Sequence, residues 1–562
     1  MQFNAFVLLL FVYIAGIALY RFDAARNHVP DQQNQKIMKL KLVLSLVMLT
    51  LTLACTQGPS NTTKIDILDG EQWWIGIVTH GHLAPLADGY NANLNGFLYE
   101  NQAQPLLVSN AGRSLWSEEP FSVTIKDGAL IFDNNQGEIV LDAHGSTLKE
   151  AYLGASTKYF PPTGTMPDES LFLQPQYNTW IELLYDQNQA DILKYAQAIL
   201  DNGFPPGVIM IDDNWQQAYG VWEFRHERFE DPKAMIKQLH DMGFKVMMWV
   251  CPFVSPDTQV YRELRDQGLL LKDETGRPKP IHWWNGQSAL LDLSNPAAGD
   301  WFKARLQYLV DEYGVDGFKL DAGDAEYYVD TYGYKDVSPN EHARLFAEIG
   351  LDFPLNEYRA TWKMGGQPLA QRLRDKGHSW SDLQVLVPHI LTQGISGYAF
   401  TCPDMIGGGL MGSFINLEKV DQELMVRSTQ THALMPMMQF SVAPWRVLSA
   451  ENLEFTKQAI RLRAEFIPVI LDLARHAAQT GEPIVRYLEY EFPGNGYHTV
   501  VDQFMLGSDI VVAPVLVPGQ VQRQVHVPPG VWVSHEGKSY TGPALVTVDA
   551  PLNTLPYLKR SL

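Results

Sequence analysis

The chain has 562 residues, of which 46% are apolar and 19% charged, a composition typical of a globular protein with a large core and several domains. Its net charge of −20 excludes nucleic acid as a partner, because phosphates demand clustered Lys and Arg. Only three cysteines are present, so a disulfide framework is excluded, and Cys251 and Cys402 are interpreted as buried thiols. No Cys/His cluster has zinc-ligand spacing, and neither a metal nor a cofactor is predicted.

The amino-terminal segment is typical of a bacterial lipoprotein signal. Met38 and the two lysines that follow it form a basic region, Val43 to Leu53 form an apolar run, and Ala54 precedes Cys55. We therefore interpret residues 1–55 as an upstream extension and signal, with Cys55 as the lipidated first residue and 56–64 as a tether. The protein would then be exported to the periplasm or cell envelope of a bacterium and meet a membrane only through its lipid. A second transmembrane helix or an unlipidated secreted form is the alternative.

Residues 65–174 predict an amino-terminal antiparallel β-sandwich. Short alternating runs such as Phe121–Ile125, Ala129–Phe132 and Glu138–Leu141 are separated by turn-forming Asp, Asn and Gly residues.

From residue 175 the pattern changes to strands that alternate with helices. Asn178–Leu184, Val208–Asp212, Lys245–Val250 and Gly317–Asp321 predict the first four strands. Helices are predicted between them, for example from the Asp231-Pro232 start signal to Gly243. The alternation continues through strand-like 353–359, helix-like 382–393, strand-like 397–401 and 434–440, and helix-like 453–478.

About eight such units over residues 175–480 predict a (β/α)8 TIM barrel. A doubly wound open sheet is the alternative, but a Gly-rich phosphate loop is missing after the first strand. Residues 481–562 return to short strands separated by turn signals and predict a carboxyl-terminal antiparallel β-sandwich.

The stretch Gly317–Asp324 places Asp321 at the carboxyl end of a buried strand. In a parallel α/β fold this edge carries the chemistry, because strand ends hold side chains rigidly while the next loop stays open to substrate. The alternative is that Asp321 only caps the loop.

Several motifs together resemble glycoside hydrolase family 31 from about residue 65 to the end. The segment Lys319-Leu-Asp321-Ala-Gly323-Asp324 is similar to the family's nucleophile motif, and Asp375, five residues before Trp380, is similar to its acid/base segment. Further similar positions are Arg359, sixteen residues before Asp375; Asp404 in the segment Gly397–Gly408; Asp212 in Ile-Asp-Asp-Asn-Trp; and the segments starting at Gly481 and Asp502.

The resemblance implies a retaining glycosidase that works by double displacement. Asp321 would be the nucleophile and Asp375 the acid/base, with Glu357 as the alternative proton donor. The substrate-binding residues it implies, or that end the barrel strands, are Asp212, Arg359, Asp404, Lys319, Trp215, Trp249 and Trp284. Arg359 could instead be an ordinary ion pair to Glu357 or Asp321, and the tryptophans could be core residues.

The expected substrate is an oligosaccharide or glycoside with a terminal α-D-galactosyl group. Ser441 stands where many α-glucosidases of the family carry a substrate-binding His. The Lys319-Leu-Asp321-Ala-Gly323 form also resembles the branch that contains the myogenesis-regulating glycosidase and related α-galactosidases. An α-glucosidase or α-xylosidase is the alternative within the family, and a non-catalytic carbohydrate-binding lipoprotein is the alternative of another class. The oligomeric state is not predicted.

Overall fold

The computed structural model describes residues 62–133 and 137–561. Within these residues, parallel strands form a closed (β/α)8 barrel, and β-rich regions lie on either side of it in the chain, so the predicted fold is confirmed. The barrel strands, numbered one to eight in chain order, are Gln176–Asn178, Val208–Ile211, Lys245–Val250, Gly317–Leu320, Leu355–Tyr358, Gln371–Arg372, Thr401–Cys402 with Met405–Ile406, and Gln439–Phe440.

Strand seven consists of two short segments and closes the ring. Thr401–Cys402 pairs with strand six, whereas Met405–Ile406 pairs with strand eight, which in turn pairs with strand one. Between the two segments Pro403 lacks an N–H group for strand pairing, and Asp404 has a φ of 71°, which is unusual for a residue with a side chain. The change of partner strand therefore takes place at Asp404.

The helices that surround the barrel begin and end at the signals that the sequence carries. Asp231 accepts a hydrogen bond from the backbone N–H of Ala234, and Gly314 ends the helix Pro296–Tyr313 in the left-handed conformation. The longer helices are Gln189–Asp201, Pro232–Asp241, Gln259–Asp266, Pro296–Tyr313, Pro339–Gly350, Trp380–Ile395, Gln422–Ala433 and Ala450–Thr480. Shorter helices are Trp180–Leu183 and Pro444–Val447.

The predicted strand Asn178–Leu184 is wrong. Strand one ends at Asn178, whose side-chain oxygen accepts a hydrogen bond from the backbone N–H of Trp180, and the helix Trp180–Leu183 follows. A turn made by Asn competes with strand pairing, and the apolar run continues as helix.

Small sheets follow strands two and three at the carboxyl edge of the barrel. Gln216–Ala218 pairs with Val221–Phe224, and Phe253–Val254, Pro280–Trp283 and Gly286–Leu290 form a three-stranded sheet. These excursions carry several aromatic residues to the edge where the strands end.

The connection between strands five and six contains no helix in the described chain. Instead, Thr361–Trp362 pairs in parallel with the start of strand Gln102–Ser109 of the amino-terminal region. The amino-terminal region therefore covers the barrel at this point and reaches the backbone next to the strand ends.

The amino-terminal region contains two sheets, as the turn-rich sequence indicates, and a long and a short helix that the sequence analysis did not predict. Thr63–Asp66, Asn91–Asn93, Ser122–Lys126 and Ala129–Asp133 form one sheet; Trp73–Ile77, Gln102–Ser109, Arg113–Trp116 and Val140–Ala143 form most of the other. The long helix is Leu148–Tyr159, capped by Thr147, and the short helix at Ser170–Leu173 follows.

The carboxyl-terminal strands form one antiparallel sheet in the described residues. They are Val485–Arg486, Phe504–Leu506, Ile510–Val512, Gln522–Ser534, Ser539–Asp549 and Tyr557–Arg560, with a short helix at Leu488–Glu491. The predicted domain limits stay predictions, and Cys55 with its signal lies outside the described residues. In the part of the chain that the structure describes, no helix has the length and apolar character needed to span a bilayer.

Candidate active site

Charged side chains from strands two, four, five, six and seven meet at the carboxyl edge of the barrel. Asp212 follows strand two, Asp321 follows strand four, Arg359 follows strand five, Arg372 ends strand six and Asp404 interrupts strand seven. Because parallel strands end at the same edge, residues that lie far apart in the sequence come within a few ångström of each other.

Asp321 is held by fixed partners on both carboxylate oxygens. The indole Nε1 of Trp249 donates a hydrogen bond of 2.9 Å to Oδ2, and the backbone N–H of Ala322 donates one of 2.9 Å to Oδ1. Burial would raise the pKa of Asp321, but the positive charges of Lys319, Arg372 and Arg359 outweigh it and hold the pKa below its usual range. Asp321 is therefore a carboxylate at neutral pH, as a nucleophile must be.

Lys319 lies in strand four and links Asp321 to Asp212. Its Nζ donates a hydrogen bond of 2.7 Å to Oδ2 of Asp212 and lies 3.4 Å from Oδ2 of Asp321. Burial of the ammonium group opposes its charge, but the two carboxylates more than compensate and raise the pKa of Lys319. Lys319 and Asp212, each predicted to bind substrate, are thus paired with each other next to Asp321, in a position that is almost completely buried.

Arg372 is the main site residue that the sequence analysis missed. Its side chain is fully buried, and its Nη1 lies 2.7 Å from Oδ1 of Asp375 and 3.0 Å from Oδ1 of Asp404. Its Nη2 lies 3.8 Å from Oδ1 of Asp321, and its Nε lies 3.3 Å from Oε1 of Glu357. One guanidinium group therefore reaches four carboxylates, including both predicted catalytic residues.

Asp375 lies three residues after strand six, on a loop that is open to solvent. Its side chain is 34% exposed, against 14% for Asp321. Burial favours the protonated form, but the charges of Arg372 and Arg359 outweigh it and lower the pKa of Asp375. The neighbouring Arg374 side chain turns away and lies 3.6 Å from Asp382.

Glu357, the alternative proton donor, lies inside the barrel. It is completely buried at the end of strand five, where the amide of Gln439 donates a hydrogen bond of 2.7 Å to Oε2. Burial raises the pKa of Glu357 to about 7, against the opposing charges of Arg372 and Lys319. A carboxyl group without solvent access cannot reach a leaving group, which favours Asp375 as the donor.

Arg359 is the charged group best placed to meet a ligand. Its guanidinium lies 4.0 Å from Oδ1 of Asp321 and 3.9 Å from Oδ1 of Asp324, distances too long for hydrogen bonds. A quarter of its side chain is exposed; its terminal nitrogens donate no hydrogen bond within the described residues, whereas its Nε is buried. Arg359 is therefore oriented by the two carboxylates while its donors remain available, instead of forming the tight ion pair that was the alternative.

Two predicted substrate-binding residues lie in places where a substrate cannot touch them. Asp404 is completely buried, and its oxygens accept hydrogen bonds from Arg372 and from the backbone N–H of Lys376. Trp215 is also completely buried, where its ring packs against Trp222 and its Nε1 donates to the backbone oxygen of Trp249. The prediction is corrected for both: Asp404 holds Arg372 and the Asp375 loop, and Trp215 is a core residue.

The other two predicted tryptophans lie at different depths. Trp249 is almost fully buried and acts on Asp321 through its indole hydrogen bond, whereas Trp284 is 46% exposed at the edge of the barrel. Ser441 is buried, and its hydroxyl donates to the backbone oxygen of Gly408 at 2.7 Å. Position 441 therefore offers no free polar group to a ligand.

The amino-terminal region also contributes residues that the sequence analysis missed. The side-chain amide of Asn101 donates to the backbone oxygens of Arg359 and Arg372 at 3.2 and 3.0 Å. The amide of Gln102 donates to the same two oxygens. No local motif marks these residues, because their role depends on how two distant parts of the chain pack together.

Comparisons with known proteins agree with this geometry. Residues 175–473 match the family described as "Glycosyl hydrolases family 31 TIM-barrel domain", and residues 481–561 match the "Glycosyl hydrolase family 31 C-terminal domain". The chain is 33% identical to the myogenesis-regulating glycosidase of Mus musculus over 73% of this chain and 59% of that protein. It is 25% identical to the alpha-xylosidase XylQ of Lactiplantibacillus pentosus over 78% of this chain and 60% of the relative.

Among solved structures, the GH31 dextranase of Flavobacterium johnsoniae in complex with glucose superposes with a TM-score of 0.79. The sequences are 21% identical, and the match covers 89% of this chain and 66% of the dextranase. At this identity the similarity establishes the fold. The chain spans about three fifths of the length of the two curated relatives named above.

Proposed function

Since this chain belongs to glycoside hydrolase family 31, we propose that it is a retaining, exo-acting α-glycosidase that hydrolyses terminal α-D-galactosides. The observation that carries the proposal is the arrangement of Asp321 and Asp375, two solvent-accessible carboxylates that the single guanidinium of Arg372 reaches at the carboxyl edge of the barrel. Double displacement requires a nucleophile and a proton donor on either side of one glycosidic bond.

In the first step a carboxylate oxygen of Asp321 attacks the anomeric carbon. The glycosidic C–O bond breaks as the carboxyl group of Asp375 gives its proton to the leaving oxygen, and a glycosyl ester on Asp321 remains. Trp249 and Ala322 hold Asp321 still, while the terminal nitrogens of the partly exposed Arg359 can donate to the hydroxyl groups of the bound sugar.

In the second step water replaces Asp321 on the anomeric carbon. Asp375, now a carboxylate, takes a proton from the water molecule as its oxygen bonds to the anomeric carbon, and the ester bond to Asp321 breaks. Because its pKa is lowered, Asp375 is ionised and can accept the proton in this step. The first step, in contrast, proceeds only in the fraction of enzyme molecules in which Asp375 carries a proton. We therefore expect activity on natural glycosides to fall as the pH rises through the acid range.

Two features favour galactosides over glucosides. The segment Lys319-Leu-Asp321-Ala-Gly323 resembles the galactosidase-like branch. The hydroxyl of Ser441 donates its hydrogen bond to the backbone oxygen of Gly408 and is not free for a sugar hydroxyl. Glucose and galactose differ in the direction of O4, and a site that hydrogen-bonds a hydroxyl group rejects the wrong analogue strongly.

The test is the ratio of kcat/KM for p-nitrophenyl α-galactoside to that for the α-glucoside and the α-xyloside, with the anomer of the first product followed by NMR. We expect a ratio above one and an α-configured first product. A ratio below one overturns the galactoside assignment, a β-configured product overturns double displacement, and turnover of none of the three favours a carbohydrate-binding protein.

We also propose that the protein is exported and held at a membrane by lipid on Cys55. The support is the sequence from Met38 to Cys55, with its basic, apolar and cysteine parts in order. Expressed from Met38 in a bacterium, the protein should enter the detergent phase, and Cys55→Ser should release it. A mature soluble protein that starts elsewhere would contradict the proposal.

A further inference from the structure

The hydroxyl group of Tyr219 joins two loops at the carboxyl edge of the barrel. It donates a hydrogen bond of 2.7 Å to Oδ2 of Asp213 and accepts one of 2.6 Å from the side-chain amide of Asn285. Tyr219 and Asp213 lie in the loop after strand two, whereas Asn285 lies in the hairpin turn after strand three. One phenol group therefore ties together segments that belong to different barrel strands.

Asp213 is a fixed anchor for this hydroxyl group. The residue is only 1% exposed, and its Oδ1 accepts hydrogen bonds of 2.8 Å from the amide of Gln216 and 2.6 Å from the backbone N–H of Asn214. Burial raises the pKa of Asp213 to about 7, against the hydrogen bonds from Gln216 and Tyr219. Within the described residues Tyr219 is the hydrogen-bond partner of Oδ2, and a buried carboxyl oxygen without a donor is costly.

The ring of Tyr219 packs against the indole that holds the nucleophile. Its centroid lies 5.9 Å from the ring of Trp249 and 4.8 Å from that of Trp283, and the two indoles are stacked at 14° with centroids 6.4 Å apart. All three side chains are buried. Trp249 donates its hydrogen bond to Oδ2 of Asp321. A movement of the indole would shift this bond, so the neighbours that fix the ring also fix the direction of the carboxylate.

We infer that Tyr219 is a positioning residue that fixes Trp249 and, through Trp249, the direction of the Asp321 carboxylate. The inference rests on the proposed function, in which Asp321 attacks the anomeric carbon. The hydroxyl group of Tyr219 supplies the restraint, because its two hydrogen bonds hold the phenol ring in one place against the indole. Tyr219 acts through Trp249 and needs no contact with the sugar.

The test measures the attack of the nucleophile by itself. A 2-fluoroglycosyl fluoride has a leaving group that needs no proton, so the rate at which it labels Asp321 reports the attack without the acid/base. Tyr219→Phe keeps the ring and removes the hydroxyl group, and we expect the labelling rate at saturating reagent to fall about tenfold, with the affinity for the reagent nearly unchanged. A lower unfolding temperature with an unchanged labelling rate would make Tyr219 purely structural and overturn the inference.

Substitutions of Asp213 separate position from charge. Asp213→Asn keeps an acceptor for the Tyr219 hydroxyl group and should retain most of the labelling rate. Asp213→Ala removes the acceptor and should lower the rate about as much as Tyr219→Phe does. If Asp213→Asn loses as much as Asp213→Ala, the carboxylate acts through its charge and the inference is wrong.

Tyr195 provides the matched control for the loss of a buried hydroxyl group. It lies on the helix Gln189–Asp201, and its hydroxyl group makes no hydrogen bond within the described residues. Tyr195→Phe should label at the rate of the unmodified enzyme, and an equal loss in Tyr195→Phe and Tyr219→Phe would contradict a specific role of Tyr219.

Asn285→Ala keeps the inference testable if Tyr219→Phe does not fold. This substitution removes the other hydrogen bond to the phenol from a half-buried turn, and it should lower the labelling rate in the same direction. An unchanged rate would overturn the inference. The reagent is the galactosyl, glucosyl or xylosyl compound that labels the unmodified enzyme, so the result does not depend on the galactoside assignment. An enzyme that none of them labels and that hydrolyses no glycoside overturns the proposed function, and the inference with it.

Discussion

The two catalytic carboxylates are held in different ways. Asp321 follows a four-residue strand in the middle of the barrel sheet, accepts hydrogen bonds on both oxygens and lies 3.4 Å from Lys319. Asp375 follows a strand of only two residues, and among the described residues Arg372 is its one side-chain hydrogen-bond partner. The acid/base side chain is also more than twice as exposed as the nucleophile.

This difference matches the two chemical tasks. A nucleophile works as an anion in one fixed direction, so several partners that hold it ionised and still are an advantage. An acid/base must lose a proton and regain it in each cycle, which requires solvent access and few fixed partners. Arg372 is common to both groups, and we expect its charge to set the pH range in which the pair works.

The largest effect is expected on the nucleophile side. Asp321→Ala removes the group that forms the covalent bond and should lower kcat about 10⁴-fold or more while the protein stays folded. The measurement is kcat on an aryl α-galactoside, with circular dichroism to check the fold.

The covalent adduct provides the control for this prediction. A 2-fluoroglycoside should label the unmodified enzyme at Asp321, as seen by mass spectrometry of the digested protein. An adduct on Asp324 or Asp375 would contradict the assignment, although Asp324 lies only three residues away and is buried behind Arg359.

A smaller and more selective effect is expected on the acid/base side. Asp375→Ala should lower kcat/KM for a disaccharide by about 10²- to 10⁴-fold and much less for a dinitrophenyl glycoside, because a good leaving group needs no proton. The direction in which activity changes with pH follows from the pKa of Asp375. Since the pKa of Asp375 is lowered, its protonated form is lost in the acid range, and disaccharide hydrolysis by the unmodified enzyme should fall there as the pH rises.

Glu357→Gln is the matched control for the acid/base assignment. It keeps the shape of a buried residue that has no solvent access, so the ratio between disaccharide and dinitrophenyl glycoside should stay close to that of the unmodified enzyme. If Glu357→Gln changes that ratio as strongly as Asp375→Ala does, Glu357 is the proton donor.

Arg372 is the residue that lies next to both catalytic carboxylates. Arg372→Lys keeps a positive charge but cannot reach four carboxylates, so we expect kcat to fall about tenfold or more through misplaced carboxylates. The shorter, point-like ammonium group of lysine would lie farther from Asp375 and lower its pKa less, so the fall of disaccharide hydrolysis should move to higher pH. A lower kcat with an unchanged pH profile would mean that Arg372 is only structural.

Arg372→Met tests the same idea without the charge. Breaking a buried ion pair costs about 3 to 5 kcal/mol of stability, so thermal unfolding must be measured first. If Arg372→Met unfolds, the pH profile of Arg372→Lys still decides the prediction.

The sequence analysis predicted a strand near every barrel strand except strand six, although it misplaced the first beyond Asn178, and the missing strand six explains the missed arginine. Strand six is Gln371–Arg372, two residues without an apolar run, and so it has no periodicity to detect. The sequence pattern did not mark Arg372 as a site residue for the same reason, since a charged residue in such a segment is usually at the surface. Asp321 and Asp212, in contrast, follow clear apolar runs.

Two of the predicted substrate contacts, Asp404 and Trp215, are excluded because both side chains are completely buried. Asp404 and Trp215 lie next to strand ends in the sequence, and nothing local distinguishes them from Asp212 and Trp249. The direction of each side chain depends on the change of partner strand at Asp404 and on the packing of Trp215 against Trp222, which are set by distant residues.

The smallest loss of activity is expected for substitutions in the amino-terminal region, whose side chains support the backbone at both Arg359 and Arg372. Asn101 and Gln102 each donate to the backbone oxygens of both Arg359 and Arg372. These oxygens lie at the carboxyl ends of strands five and six, so the amides fix the strand ends that carry the two arginines. Losing a neutral hydrogen bond costs about 1 kcal/mol of stability, and we expect Asn101→Ala to lower kcat several-fold, on substrates of either leaving-group type.

Asn340 provides the comparison that separates support of the site from support of the fold. Like Asn101 it is completely buried and bridges the barrel and the amino-terminal region, but it accepts from the backbone N–H of Gly96 and donates to the backbone oxygen of Leu94, away from the arginines. Asn340→Ala should therefore lower the unfolding temperature about as much as Asn101→Ala and leave kcat unchanged. If the two variants lose stability and kcat in the same proportion, the amino-terminal region supports the barrel in general, and its hydrogen bonds to Arg359 and Arg372 have no special role in holding the site.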